Sequence, residues 1–331
     1  MTRNINADLI KSISIFGVVY IHSCTVFGEI DSLVFLRDIF RFAVPCFIIL
    51  WAYFFEKSYA KKTPEQRKKY LINRFIHLLR VFIIWSLFYF ILTVDLDTLN
   101  FKKFFSIYFS GHGWSGQYFF IILFQLIITY PILRKTYNIK FLKILVILTS
   151  ITLYVLFEFH LSNIPVILNK LGYRPIYFWV IYVFIGITLA RNKIKSISSI
   201  FILSPLLIGL ELYILRLKNI IHLDYITLGT LTFSILLCIS FLKLKNLNYS
   251  EKLNRLIDFI GKNTLVIFVS NPLLIIALKQ LIQYSGIYIE IMLMPIWLKI
   301  CISLLAVLTV FSGTLIISNL LHKTKLIKFL G

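Results

Sequence analysis

Long apolar runs separated by short polar and basic segments make up almost the whole chain. A helix needs roughly 20 mostly apolar residues to cross the hydrocarbon core of a bilayer. Ten runs reach or approach that length: 9–27, 39–55, 76–94, 116–133, 141–159, 175–190, 197–215, 225–242, 264–284 and 296–321. They lack the apolar/polar alternation that marks the strands of an outer-membrane barrel. The pattern predicts an all-α, polytopic integral membrane bundle of about ten transmembrane helices, with 97–112 as an interfacial segment.

Composition narrows the class of protein further. Of the 331 residues, 59% are hydrophobic and 15% are charged, whereas soluble domains carry about 25% charged residues. A disordered chain, a disulfide scaffold and a soluble enzyme are thereby excluded. No connecting segment is long enough to form a second domain, so residues 1–331 are expected to form one transmembrane domain. All four cysteines lie in apolar runs without metal-ligand spacing, and we expect small buried side chains and no bound metal there.

The chain carries a formal net charge of +21, from 35 Lys and Arg residues against 14 Asp and Glu residues. Such an excess indicates nucleic-acid binding in a soluble protein and a positive-inside bias in a membrane protein. With the N-terminus inside, 23 basic residues fall in inside segments and 9 in outside segments. This distribution predicts a multi-pass protein of the cytoplasmic membrane with both termini inside, and it leaves little charge for a nucleic-acid partner.

The longest basic segment, 56–75, has two interpretations. A cytoplasmic hairpin of this kind anchors the topology by contact with anionic lipid headgroups. Alternatively, its Lys and Arg side chains help to bind an anionic cofactor. The sequence favours the first interpretation and leaves the second open.

The most informative pair of polar residues lies in the first apolar run. Lys11 and His22 are eleven residues apart, which is about 20° past three helical turns, so both point the same way at a separation of about 16 Å along the axis. Ionisable groups inside a membrane are costly and usually functional. Asp8 lies at i,i+3 spacing from Lys11 and is expected to pair with it. A packing role for His22 is the alternative. Near the end of the fifth run, Glu158 and His160 are expected to be solvated.

Several segments together resemble the membrane acyltransferase family 3. The spacing from Asp8 through Lys11 to His22 resembles that family's first helix, which usually has Arg at the position of Lys11. Residues 41–48 resemble its second helix with a Val-Pro-x-Phe run, and 73–86 resemble the Arg-rich entry to its third helix. Residues 112–133 resemble its His-x-Trp and Tyr-x-x-Pro elements, and 178–186 its Phe-x-x-Gly stretch.

Within this family, the chain most resembles the exopolysaccharide branch, which includes proteins of poly-N-acetylglucosamine adhesin loci. Two further departures from the family pattern stand out. Trp51 and Ala52 replace a usual Ser-Gly pair, and Asn271 replaces a usual His before Pro272. Since Asn271 cannot titrate, a mechanism that needs a second His at that position is in doubt.

The resemblance implies transfer of an acyl group, usually acetyl, from cytoplasmic acyl-CoA to a glycan hydroxyl. His22 would be the catalytic base, with acyl carriage on its imidazole as a second route. Asp8 and Lys11 would complete the catalytic group. Lys11, Arg74 and Arg80 would bind the phosphates of acyl-CoA (acetyl-CoA), which is a co-substrate and not a permanent cofactor.

Four residues toward the outer side are candidates for binding the acceptor: Arg41, His112, Trp114 and Gln117. For Arg41 and His112 the alternative is snorkelling at a helix end, and for Trp114 it is a place in the interfacial aromatic belt. The expected partners are acyl-CoA, a cell-surface glycan acceptor, the lipid bilayer and glycan-synthesis machinery.

Two other functions compete with acyl transfer. A polysaccharide exporter or flippase would also need many spans and a polar outer mouth, but it would not need an aligned Lys–His pair. A non-catalytic family member would account for the departures at Lys11, Trp51, Ala52 and Asn271.

Overall fold

The computed structural model describes residues 4–27, 31–93, 107–108, 111–194, 197–244, 249–324 and 326–331. Within these ranges the protein is helical and has no β-strand. Its helices are α1 Ile5–Ser23, α2 Asp31–Ile39, α3 Ala43–Tyr59, α4 Pro64–Thr93, α5 Tyr118–Asn138, α6 Lys140–Phe159, α7 Val166–Leu171, α8 Val180–Ala190, α9 Ser204–Leu217, α10 Leu228–Lys243, α11 Glu251–Tyr284, α12 Ile287–Leu293, α13 Ile296–Lys323 and α14 Ile327–Leu330.

Seven helical segments of the described chain are long and apolar enough to cross a membrane. They are Ile5–Ser23, Pro64–Thr93, Tyr118–Asn138, Lys140–Phe159, Ser199–Leu217, Glu251–Tyr284 and Ile296–Lys323. The protein is therefore a multi-pass, all-helical membrane protein. The helices α3, α8 and α10 occupy the other three predicted spans but are shorter, so the count of ten stays a prediction, as does the orientation of the termini. The predicted interfacial segment 97–112 lies mostly outside the described residues.

Helix α1 is the centre of the bundle. Of its hydrophobic window, 67% is buried, against 22–44% for the other six candidate spans. It packs against α3, α11 and α13. Its first half contributes Ala7 and Ile10 to one apolar core, and its second half contributes Ile15 and Val19 to another. A side chain on α1 therefore faces protein on nearly every side, which suits polar residues that lipid would exclude.

Local sequence signals explain where the long helices begin. Helix α4 begins with a capping box formed by Thr63 and Gln66. The Gln66 amide N–H donates to Thr63 Oγ1 (3.4 Å), and the Thr63 amide N–H donates to Gln66 Oε1 (3.3 Å). Pro64 adds a fixed φ at the first helical position. Asn4 caps α1 by accepting from the Ala7 amide at 3.2 Å. These hydrogen bonds define the first residues of α1 and α4.

A buried carboxylate connects three helices at one end of the bundle. Glu56 on α3 is 2% exposed and accepts hydrogen bonds from Tyr130 (2.7 Å) and Arg134 (2.9 Å) on α5. Arg191, directly after α8, donates to it at 2.7 Å. Because both arginines remain about one-fifth exposed, this cluster holds α3, α5 and α8 together at the boundary of the apolar core.

Two expectations about polar and sulfur-containing side chains were wrong. Glu158 is buried, because its carboxylate accepts the Leu228 amide N–H (2.7 Å) at the start of α10; a helix N-terminus provides such unpaired donors. Cys24, Cys46 and Cys238 are buried as expected, whereas Cys301 is exposed. It lies on the outward surface of α13, where an apolar thiol needs no protein contact.

Replacing Glu56 by Gln should lower the free energy of unfolding by about 1.5–3 kcal/mol, since the hydrogen bonds from Arg134 and Arg191 would lose their charged acceptor. Thermal unfolding of the detergent-solubilised protein measures the change. The matched control is Glu251→Gln, which breaks an exposed Arg255–Glu251 pair and should leave the melting temperature unchanged. Equal shifts in the two variants would contradict a structural role for the Glu56 cluster.

Candidate active site

One face of α1 connects two polar groups. Lys11, Ile15, Val18 and His22 follow each other at spacings of four, three and four residues, so they share a face. At 1.5 Å per residue, Lys11 and His22 are about 16 Å apart along the axis. The side chains between them are apolar. This face therefore has a cationic end, an apolar middle and an imidazole end.

A cavity of about 730 Å³ opens at the Lys11 end. Lys11 bonds to Asp8 Oδ1 at 3.3 Å and lies 4.5 Å from the centre of the Phe54 ring, which confirms the expected Asp8–Lys11 pair. Lys57, Lys61 and Lys262 line the same cavity. Of these four lysines, Lys11 is paired with Asp8 and Lys262 with Asp258 (2.8 Å). The positive charge that remains at a cavity of this volume suits a phosphate-bearing ligand. Of the four, Lys11 was predicted individually, Lys57 and Lys61 lie in the segment 56–75 for which cofactor binding was an open interpretation, and Lys262 was missed.

Arg74 and Arg80, the other predicted cofactor contacts, lie elsewhere on α4. Arg74 lines a neighbouring cavity of about 270 Å³, which shares Phe54 with the Lys11 cavity. Arg80 is exposed, and its guanidinium lies 5.8 Å from the ring of Phe329. The structure thus brings Arg74 close to the Lys11 cavity and turns Arg80 toward α14.

The apolar middle of α1 borders a small cavity of about 90 Å³. Ile15 and Val18 form one wall, and Leu265 and Phe268 of α11 form another. Leu265 also lines the Arg74 cavity. Neighbouring cavities therefore share walls from the Lys11 end to Phe268, which in turn lies beside His22.

His22 contacts α11 and the loop before α5. Its Nδ1 lies 2.9 Å from Asn271 Oδ1. Gly116 approaches the ring closely: a Cβ on Gly116 would be 3.1 Å from His22 Cε1 and 2.8 Å from Phe268 Cζ. The φ of Gly116 is +90°, a region that L-residues rarely adopt. Sequence reasoning had treated Asn271 as a departure from the family pattern and had missed it as a partner of His22.

Arg41, directly before α3, lies within a charged cluster that includes Asp38 and Asp224. It is buried (8% exposed) and makes an ion pair with Asp224. Its guanidinium lies 4.9 Å from the centre of the Tyr225 ring, and its charge acts on the imidazole of His22. Burial would raise the pKa of Asp224, but Arg41, Arg37 and His222 outweigh burial and lower it. Arg41 is thus fixed inside the protein, which excludes simple snorkelling.

The loop at 111–117 contains the other three predicted acceptor contacts. Gln117 is fully buried: its Oε1 accepts the Gly113 amide N–H (2.6 Å), and its Nε2 donates to Ser86 Oγ (2.8 Å). Trp114 is 8% exposed and packs 5.3 Å from Tyr89, so it is not an interfacial belt residue. His112 is exposed, and partial burial and Arg174 lower its pKa. These contacts hold Gly116 against His22, and direct binding of an acceptor stays a prediction.

The fold and this site define an integral membrane protein in which one central helix carries a half-buried imidazole and borders a basic cavity. The family model described as an acyltransferase domain (acyltransferase family 3) matches residues 4–317. The chain belongs to this family.

Curated relatives are found in several strains of Staphylococcus aureus, among them MRSA252, MSSA476 and MW2. Each is named a probable poly-beta-1,6-N-acetyl-D-glucosamine export protein and is 28% identical over 171 residues. The match covers 50% of this chain, which spans about half the length (48%) of each relative. No solved structure matches the chain.

Replacing Gly116 by Ala should destabilise the protein by about 1–3 kcal/mol, because the new methyl group would press on Phe268 and His22. Gly286→Ala is the control, since Gly286 also has a positive φ (+72°) but nothing lies within 4 Å of its Cβ position. Melting temperatures in detergent measure both changes. Should the two variants lose equal stability, the backbone conformation alone would account for the loss, and the proposed close contact with His22 would be wrong.

Proposed function

We propose that this protein is a membrane O-acyltransferase. It moves an acyl group, most simply acetyl, from acyl-CoA at the cytoplasmic face to a hydroxyl of a cell-surface polysaccharide. The observation that carries the proposal is the order of features along one face of α1: Lys11 at a cavity lined by four lysines, then Ile15 and Val18 at a small apolar cavity, then His22. Family membership gives the same class of reaction independently.

The Lys11 cavity suits the nucleotide end of CoA. Its volume of about 730 Å³ lies in the range of small-molecule sites. Lys11, Lys57, Lys61 and Lys262 supply point charges for phosphate oxygens. Asp8 holds Lys11 at 3.3 Å and thereby orients it toward the cavity. Lys57 and Lys61 belong to the basic segment 56–75. Their place at this cavity supports the interpretation that this segment helps to bind an anionic cofactor, in addition to anchoring the topology.

The small cavity beside Ile15 and Val18 suits the acyl end of the thioester. Apart from Thr264, the residues that line this cavity have apolar side chains. A thioester with its acyl group is less polar than a sugar. A pyranose ring there would leave its hydroxyls unpaired, which costs free energy. The cavity therefore favours the acyl thioester over the glycan.

At His22 the reaction needs a base. The acceptor's hydroxyl gives its proton to the neutral imidazole, and its oxygen attacks the carbonyl carbon of the thioester. The C–O bond forms as the C–S bond breaks, the sulfur leaves as thiolate, and the proton passes from the imidazolium to that thiolate. The products are an O-acylated glycan and free CoA, with no change in charge or oxidation state.

Polysaccharide export without bond formation is the second candidate. The names of the S. aureus relatives favour it. Those names also make poly-β-1,6-N-acetylglucosamine the first acceptor to test. A passive conduit has no need of a four-lysine cavity aligned with an imidazole, so we place acyl transfer first.

The decisive experiment uses purified protein in proteoliposomes, radiolabelled acetyl-CoA and a poly-β-1,6-N-acetylglucosamine oligosaccharide. Wild-type protein should acylate the oligosaccharide or hydrolyse the thioester. His22→Ala should reduce either activity by at least about 100-fold, since a general base contributes about 10²–10⁴-fold. Normal turnover by the His22→Ala variant would remove His22 from the mechanism, and no turnover by the wild type would favour export.

Lys11 should affect donor binding. Lys11→Ala should raise the KM for acetyl-CoA about tenfold, as expected for the loss of one charge-assisted contact of about 1.4 kcal/mol. Lys11→Arg should keep near-normal values. Lys140→Ala, which removes an exposed lysine at the start of α6, serves as the control. An unchanged KM in Lys11→Ala would contradict the assignment of the cavity to the donor.

A further inference from the structure

Helix α11 is interrupted beside His22. Pro272 lies inside the helix and has no N–H, so the carbonyl oxygen of Phe268, four residues earlier, lacks its usual helical donor. The side chain of Asn271 replaces that donor: its Nδ2 lies 2.6 Å from Phe268 O and 3.3 Å from Ile267 O. The proline thereby creates a binding site for the amide nitrogen of its own neighbour.

This arrangement allows only one orientation of the Asn271 amide. With Nδ2 toward the two carbonyl oxygens, Oδ1 faces His22 Nδ1 at 2.9 Å. A rotation by 180° would place Oδ1 2.6 Å from Phe268 O, so that two acceptors would oppose each other. Asn271 is fully buried, and water cannot relieve such a contact. The amide oxygen therefore remains directed at the imidazole.

An amide oxygen can only accept a hydrogen bond, so the proton of this bond belongs to His22 Nδ1. In a neutral imidazole, the other ring nitrogen then holds a lone pair. We propose that Asn271, oriented by the break at Pro272, is a positioning residue that holds neutral His22 as its Nδ1–H tautomer. The inference rests on the proposed function for its catalytic meaning: Nε2 is the atom that takes the acceptor's proton.

A second side chain stabilises the same break. Tyr89 on α4 places its hydroxyl between two backbone groups that would otherwise bond to each other in the helix. The hydroxyl donates to Val269 O (2.6 Å) and accepts the Leu273 amide N–H (3.0 Å). Tyr89 is fully buried and packs on Trp114 at 5.3 Å. The interruption is thus fixed by tertiary contacts.

This geometry explains how the site can work with Asn271 at a position where the family usually has histidine. A second histidine at this position would titrate and could donate or accept. Asn271 has a fixed acceptor that faces His22, so the role of base falls on one ring nitrogen of one residue. The substitution is compatible with catalysis by a single histidine.

The direct test is ¹⁵N NMR of the full-length protein, labelled at histidine and placed in nanodiscs, with the His22 signals assigned by comparison with His22→Gln. At a pH where His22 is neutral, the proposal predicts a protonated-type shift for Nδ1 and an unprotonated-type shift for Nε2. A protonated Nε2, or averaged shifts that indicate exchange between tautomers, would overturn it. The ¹⁵N shifts of His22 can be measured whether or not the protein shows enzymatic activity.

Variants on α11 test the consequence for turnover. Asn271→Ala should lower kcat by about 10- to 100-fold, a typical effect of removing the group that orients a functional imidazole, with a KM for acetyl-CoA within about twofold. The matched control is Asn263→Ala. Asn263 lies on the same helix, donates to Phe259 O at 2.8 Å and accepts from His322 Nε2 at 2.8 Å, so it makes the same kind of contact away from His22. Equal loss of kcat in both variants would overturn the proposal.

Pro272→Ala tests the role of the break in α11 while leaving both His22 and Asn271 in place. It restores an N–H that competes for Phe268 O, so the Asn271 amide loses its fixed orientation. We expect a lower kcat and averaged His22 shifts, whereas retention of a pure Nδ1–H signal would show that the proline break is not what orients Asn271. If the wild type transfers no acyl group but shows the Nδ1–H tautomer, the proposed function fails and the positioning of His22 stands.

Discussion

The contact between His22 and Asn271 is the interaction on which the site depends. An imidazole inside a bilayer requires a polar partner, because a lone polar group in an apolar medium costs several kcal/mol. Here the partner comes from α11, at the point where Pro272 prevents a regular helix. Tyr89 from α4 fixes the same point. Helices α1, α4 and α11 therefore contact one another around this hydrogen bond, and Gly116 in the loop before α5 packs against the His22 ring.

The polar groups are divided between the two ends of α1. At one end, Lys11 and three further lysines surround a large cavity. At the other end, Arg41 is fixed by Asp224 next to His22. The stretch between them is lined by apolar side chains. In the proposed function, this order separates a site for a charged donor from a site for a hydroxylated acceptor, with the small cavity beside Ile15 and Val18 between them.

The sequence predicted those features that depend on helical periodicity alone. The shared face of Lys11 and His22 and the Asp8–Lys11 pair follow from spacing within one helix. The sequence placed Lys57 and Lys61 in a basic segment whose role in cofactor binding stayed open, and it gave no signal for Lys262. Their position beside Lys11 depends on how α3, the turn after it and α11 pack around α1. The same reason applies to Glu158, whose burial depends on the start of α10 far along the chain. Asn271 was recognised as unusual, but its contact with His22 requires the packing of α1 on α11.

The acyl group's passage along α1 is the central claim, and a sided assay tests it most directly. Proteoliposomes in which the Lys11 end faces outward would carry a poly-β-1,6-N-acetylglucosamine oligosaccharide inside and receive labelled acetyl-CoA outside only, with the orientation determined by protease access to the 56–75 segment. The account predicts labelled oligosaccharide in the lumen, although intact acetyl-CoA stays outside. Acylation only when donor and acceptor share one compartment would contradict it.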